Sequence, residues 1–341
     1  MLNIFENDAF SVVSMTAKVN KQPFVPGQIG ATGIFQEEGV TTTTVMVEEM
    51  NGTLALVAPT PRGGVGETTD NEKRKVRAFP VPHYQRDDSV MADEVQGVRA
   101  FGAEGQASQV ETVERLVESK MGKHTRALDV TLEHQRVGCL KGLITDKYGN
   151  TMFDLYQMYG LTRPDPIEFH LDIATTDVRM VCFDVIDQVE AALDGMMMSG
   201  LHAFCGNGFW KKLLAHKTVR ETYLNTIQAA ELRGNAHVFR FEFGGITFER
   251  YRTGTQATAS ANGPFFGSEE VRFIPVGVQD LFITRFAPAD YEETVNTIGL
   301  PRYARQWRKE NGKGRNMEVQ MNAISICTRP EALLSGVSTN N

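Results

Sequence analysis

The stretch Arg62-Gly63-Gly64-Val65-Gly66-Glu67-Thr68-Thr69 comes nearest, in this chain of 341 residues, to a spacing that does chemistry. A phosphate-binding loop needs GxxxxGK[ST], with glycines that let the backbone cradle an anion and a lysine that neutralises it. Pro61 stands at the first glycine position and Glu67 at the lysine position. A carboxylate there repels phosphate, so the stretch reads as a loop tip. Seven histidines are scattered; His124 and His134 fall on one helical pattern, with no HExxH and no second ligand at metal spacing. No GxSxG elbow is present. Glu48-Glu49, Asp87-Asp88 and Glu292-Glu293 read as solvated charge. No catalytic, cofactor or metal residues are expected.

Cys139, Cys182, Cys205 and Cys327 stand far apart, without a CxxC pair. They read as free, buried thiols in a reducing compartment. A basic cluster at residues 301–315 joins Arg302, Arg305, Arg308, Lys309, Lys313 and Arg315 to Tyr303 and Trp307. Basic and aromatic residues together bind single-stranded nucleic acid, and they equally suit a solvated loop or a subunit interface. The formal charge of −7 favours the second pair of readings, because a phosphate-tracking surface needs a basic whole. No apolar run is long enough to span a bilayer, and no signal segment opens the sequence.

The elements that would position these residues follow from pattern. Residues 1–39 hold short apolar pieces split by Pro23, Pro26, Gly27, Gly30 and Gly33, which exclude a continuous helix and predict an extended arm. Residues 41–50 and 53–58 are β-branched around Asn51-Gly52, a hairpin signal, and a further strand is expected at residues 76–81. The polar excursion between them has almost nothing to bury. Such a hairpin is marginal alone and implies an outside partner.

Val110, Val113, Val117, Met121, His124, Leu128, Leu132 and Cys139 recur at helical spacing, which predicts a long helix over residues 108–140. A hairpin turning at residues 146–150 follows. Next comes a strand at residues 167–173, then a helix capped by Thr175 or Thr176 and ended by Gly195. Later strands and helices interleave without a repeating βαβ unit, which indicates an α+β fold.

Three segments carry a resemblance: DAFSVVSMTAKVNKQPFVPGQIG at residues 8–30, HAFCGNGFWKKLL at 202–214 and MNAISICTRPEALL at 321–334. With the order of elements, they resemble the lambda-type major capsid proteins of tailed phages, the capsid protein E family. The resemblance implies the tailed-phage and herpesvirus capsid fold. Residues 1–39 would be the N-terminal arm and 40–85 an E-loop hairpin. Residues 86–173 with 316–341 would form a peripheral domain around the spine helix, and 174–315 an inserted axial domain.

It further implies a non-enzymatic shell protein, self-assembling as pentamers and hexamers around double-stranded DNA without sequence-specific binding or a membrane. Such a protein is made in the host cytoplasm and resides in the virion. Pro61, Arg62, Gly63, Gly64, Glu67, Lys73, Arg74, Phe24, Arg305 and Arg308 are the expected contacts between subunits. Scaffolding, decoration and portal proteins are the further partners implied, with scaffolding expected to be a separate chain. The alternatives are an encapsulin-like compartment and a nucleotide-binding enzyme using the loop at residues 63–69.

Overall fold

A computed structural model describes residues 11–21, 27–49, 75–96, 106–224, 240–252 and 265–339. In chain order the first elements are α1 (Val12–Lys21), α2 (Gln28–Thr32), β1 (Gln36–Gly39), β2 (Thr44–Glu49), β3 (Lys75–Pro80), β4 (His83–Met91), α3 (Ala92–Gln96) and α4 (Gln106–Lys141). Then follow β5 (Leu143–Thr145), β6 (Thr151–Asp154), α5 (Leu155–Tyr159), β7 (Ile167–Glu168), α6 (Val178–Leu193), β8 (Gly200–Cys205), α7 (Asn207–Ala215) and α8 (Lys217–Leu224). The last are β9 (Arg240–Phe243), β10 (Ile246–Arg250), β11 (Glu270–Val276), β12 (Phe282–Phe286), β13 (Tyr303–Arg308), β14 (Gly314–Cys327) and β15 (Ser335–Val337). The architecture is α+β, as the interleaved pattern predicts.

The chain divides into two compact units. One comprises residues 1–45, 80–137 and 283–326; the other comprises 46–79, 138–282 and 327–341. The first is organised by β14. Its odd-numbered residues Met317, Val319, Met321 and Ala323 share a buried cluster with Val117, Met121, Leu128 and Leu132 of α4 and with Met15 and Val19 of α1. Strand alternation puts Glu318, Gln320 and Asn322 on the opposite face, and these too are buried. Most of their polar atoms find partners there: the Tyr291 hydroxyl donates to Glu318 at 2.9 Å, and Gln320 donates to Asp290 at 2.7 Å, while the Gln320 Oε1 is buried without a partner. Asn322 donates to the Pro288 carbonyl at 2.9 Å. β13 and β4 both pair antiparallel with β14, in registers that run from Tyr303↔Gln320 and from Gly314↔Met91.

α4 has 36 residues, about 54 Å at 1.5 Å per residue. It covers the predicted spine helix and starts two positions earlier. Successive turns carry buried charge. Asp129 meets Arg302 at 2.6 Å, with both side chains under one-tenth exposed. The Glu133 carboxylate accepts from the backbone N–H of Ile29 at 2.9 Å and of Gly30 at 3.0 Å, which caps the open donors of α2. Arg136 pairs with Glu37 and lies over the Phe35 ring at 5.3 Å. A Cβ at Gly27 would stand 2.0 Å from the Glu133 carboxyl carbon, so any other residue there would displace that carboxylate from α2.

The second unit holds a mixed six-stranded sheet of order β7-β15-β11-β8-β10-β9. β8 is buried throughout except at Gly200, and pairs parallel with β10 and antiparallel with β11. Aromatic contacts fill the interior: Phe169 lies edge-on to Phe209 at 5.2 Å, and Trp210 meets Phe241 at 5.2 Å.

Several expectations are corrected. The N-terminal arm is not simply extended: residues 12–21 are helical, because Met15, Thr16 and Val19 fall on one buried face. The break at Gly27 and Gly33 stands. Asp177, not Thr175 or Thr176, caps α6, and Asp194 takes the left-handed position ahead of Gly195. The predicted strand at 167–173 pairs only over Ile167–Glu168. The expected axial segment 174–315 does not stay together: residues 283–315 belong to the unit of α4, because β13 is hydrogen-bonded to β14.

The Asp129–Arg302 pair gives a stability test. Removing one partner leaves the other charge buried and unmatched, a cost of about 3–5 kcal/mol. Asp129→Ala should lose that much in urea denaturation, whereas Asp129→Ala with Arg302→Met should recover most of it. A loss of under about 1 kcal/mol in the single variant would show that Arg302 finds water.

Candidate subunit-contact site

β2 and β3 pair with each other, so the strand leaving residue 49 is met by residues 75–80. Alternation decides what they show. Val47 and Phe79 are buried, while Met46 is 63% exposed and Val76 56% exposed. Phe79 sits between Phe153 and Tyr159 at 6.4 and 6.3 Å. Arg77 donates to the carbonyls of Met158 and Tyr159, the latter at 3.1 Å, and its guanidinium lies 4.6 Å from the Tyr159 ring centre. The root of the hairpin is therefore clamped on β6 and α5, with an apolar outer face.

Pro61, Arg62, Gly63, Gly64, Glu67, Lys73 and Arg74, the Asn51-Gly52 turn and Phe24 lie outside the described residues.

The two remaining expected contacts part company. Arg305 lies over the Tyr291 ring at 5.2 Å and 4.0 Å from Glu293. Burial, and then the Glu318 carboxylate, push the Tyr291 hydroxyl far up, so it stays a donor. Arg305 thus has partners within its own subunit and stays partly exposed. Arg308 is exposed at the far end of β13, directly opposite Arg315. With Trp307, Lys309, Glu310, Asn311 and Asn316 it lines an open cleft of about 390 Å³. Arg308 and Lys313, both exposed, leave this tip basic, which suits an anionic or acidic partner.

Other polar groups do structural work. Burial opposes the charge of Glu270, but Arg272 and Lys141 outweigh it and hold the carboxyl below its ordinary value. Arg272 reaches Glu270 at 2.5 Å and Lys141 at 3.5 Å. Burial, in turn, lowers Lys141. All four cysteines are free and buried, with Cys182 and Cys327 pushed up to about 12 and Cys205 raised as well. These three are protonated and poorly nucleophilic. Among the described residues no group of His, Cys, Asp and Glu is placed to hold a metal ion. No described helix is long and apolar enough to cross a membrane.

Sequence reasoning missed Arg77, Phe79, Met46 and Val76 as the hairpin's anchor and outer face. The alternation of Lys75–Pro80 carried that signal. It also missed β4, whose polar sequence HYQRDDSVM conceals a strand.

A family model described as phage major capsid protein E matches residues 11–338. The chain is 28% identical to the major capsid protein of Pseudomonas phage KPP10, over 96% of both sequences. It is 24% identical to that of Salmonella phage Felix O1, over 98% of both. In structure it is similar to a prophage protein of E. coli CFT073 described as a capsid protein. There the TM-score is 0.59 at 15% identity, covering 96% of this chain and 98% of that one. It is also similar to the capsid structure of Cyanophage P-SCSP1u, with a TM-score of 0.52 at 11% identity over 90% and 87% of the two chains. The fold is that of the tailed-phage capsid proteins.

The Glu270 cluster yields a pH prediction. Its folded pKa is depressed, so its stabilising contribution is complete above the ordinary value of 4.5 and is lost as pH falls through the folded value. A carbon-detected NMR titration should place its midpoint below 4.5. Glu270→Gln should flatten the acid side of the stability profile, and a midpoint at or above the ordinary value would refute the assignment.

Proposed function

The chain belongs to the phage major capsid protein E family, and from that premise we propose that it tiles an icosahedral head as pentamers and hexamers around double-stranded DNA. The observation that carries this reading is the hairpin root: an internally clamped base whose outer face keeps Met46 and Val76 in water. An ordered apolar face of that kind marks a contact surface. In the proposed shell the E-loop of residues 40–85 continues from this root across a neighbouring subunit, with Pro61, Arg62, Gly63, Gly64, Glu67, Lys73 and Arg74 in the contact. Phe24 and Arg308 are the further contacts of this reading. The peripheral domain is assigned to α4 with the sheet of β14, and the axial domain to the part of residues 174–282 built on β8 and α6.

The mechanism is geometric. Ordering a loop costs about 1–2 kcal/mol per backbone residue fixed, and a single contact rarely covers that. Several interfaces closing together do, which makes assembly cooperative and concentration-dependent. The acidic whole, at −7, limits adhesion to enclosed DNA. The subunit is made in the host cytoplasm and ends in the virion, with a separate scaffolding protein, a decoration protein and a portal as its other partners.

Deleting residues 61–71 should leave a soluble subunit with unchanged circular dichroism that forms no stable particles. Electron microscopy of the purified variant is the measurement. Particles of normal yield and thermal stability would end the proposed role of this segment.

A further inference from the structure

The unit built on α4 carries a second exposed apolar surface, at the other end of β13 from the basic tip. In the loop that precedes β13, Val295 is 66% exposed, Ile298 67% and Leu300 42%. Glu292 and Glu293, both exposed, lie just before them. This loop is not loose. Thr294 donates through Oγ1 to the Ala289 carbonyl at 2.7 Å, and Thr297 to the Thr294 carbonyl at 2.8 Å. The Gly299 N–H donates to Val40 at 2.9 Å, and the Leu300 N–H to the Tyr303 hydroxyl at 2.8 Å. A Cβ at Gly299 would stand 1.9 Å from the Phe286 carbonyl, so the backbone is pressed onto β12. Three apolar side chains are thus held in water by an ordered backbone beside two exposed carboxylates, of which Glu293 also stands 4.0 Å from Arg305 of its own subunit. Exposure so fixed implies a partner surface that is apolar and basic.

The tip where β13 turns into β14 has that chemistry. Trp307 is 39% exposed, Arg308 and Lys313 are exposed, and among the described residues neither base forms an ion pair. We propose that the Trp307–Lys313 tip of one copy docks on the Glu292–Leu300 loop of a second copy. Trp307 would cover Val295 and Ile298, and Arg308 and Lys313 would meet Glu292 and Glu293. The occupant is a second copy because both halves of the complement reside on this one chain. Two unlike patches at opposite ends of one strand make a head-to-tail contact, and such contacts close into rings when the rotation between copies allows. Closure into rings is what a capsomer requires. The inference rests on the capsid reading and names a contact within it besides the E-loop.

Charge reversal tests it. Arg308→Glu with Lys313→Glu, or Glu292→Lys with Glu293→Lys, should leave a folded subunit by circular dichroism. Each should need at least about tenfold more protein to assemble, since like charges would then face each other. The chain carrying all four substitutions should assemble again at close to the wild-type concentration. Particle yield by sedimentation and electron microscopy reads the outcome.

Normal assembly of either reversed pair, or failure of the fourfold variant to recover, overturns the docking while leaving the capsid reading intact. Normal shells that lose nuclease-protected DNA would make the tip a DNA contact, and would overturn it equally. If the wild-type chain forms no shells even when co-expressed with its scaffolding protein, the self-assembly reading fails and the docking with it.

Discussion

Three ionic side chains on successive turns of α4 cannot leave water unless each meets a partner from a distant part of the chain. Asp129 needs Arg302, Glu133 needs the first N–H groups of α2, and Arg136 needs Glu37. An unpaired buried charge costs several kcal/mol, so the helix tolerates one arrangement of these segments and penalises the rest. The apolar contacts between α4 and β14 supply most of the driving force, but they are non-directional. Charge decides the register. Arg302 shows this: it also donates to the Val19 carbonyl at 3.3 Å, which ties α1 and the start of β13 to one point on the helix.

The same selectivity explains why surfaces of this unit are available for contact. β14 is buried on both faces, with its polar face bonded from within by Tyr291, Asp290 and Pro288. Arg305 is drawn into this arrangement through Tyr291. Arg308, three positions along the same strand, lies beyond it. One strand therefore passes from an arginine spent on internal order to one presented to solvent, and the division falls where the underlying polar face ends. The hairpin root divides likewise: Phe79 and Arg77 hold it, while Met46 and Val76 face outward.

Much of this was legible in the sequence where periodicity was strong. The spine helix, the hairpin turning at residues 146–150, β8 and α7 all show a clean apolar pattern bounded by glycine or asparagine. β4 and β13 did not, because their burial comes from pairing with β14 and their side chains are mostly polar. A basic, aromatic run such as YARQWR looks the same as loop or strand until its partner is known. Residues 283–315 fall with α4 for that reason. The ion pairs of α4 were hidden differently: Asp129, Glu133 and Arg136 look like the solvated side of an amphipathic helix, and only the arrival of α2, β1 and Arg302 makes them interior.

Several polar and titratable groups of the described residues are occupied within the fold. The thiols are buried, the Glu270 carboxylate is neutralised by two cations, and the Tyr291 hydroxyl is committed as a donor. These groups are tuned to stay put. What remains poised is surface: apolar side chains set in water by an ordered backbone, and exposed basic groups at the tip of a hairpin. Groups that are unfavourable in the isolated subunit and relieved by a neighbour make association cooperative, because their relief is available only in the assembled state. A protein whose work is to close a shell stores its specificity there, and its interior chemistry exists to hold that surface in one shape.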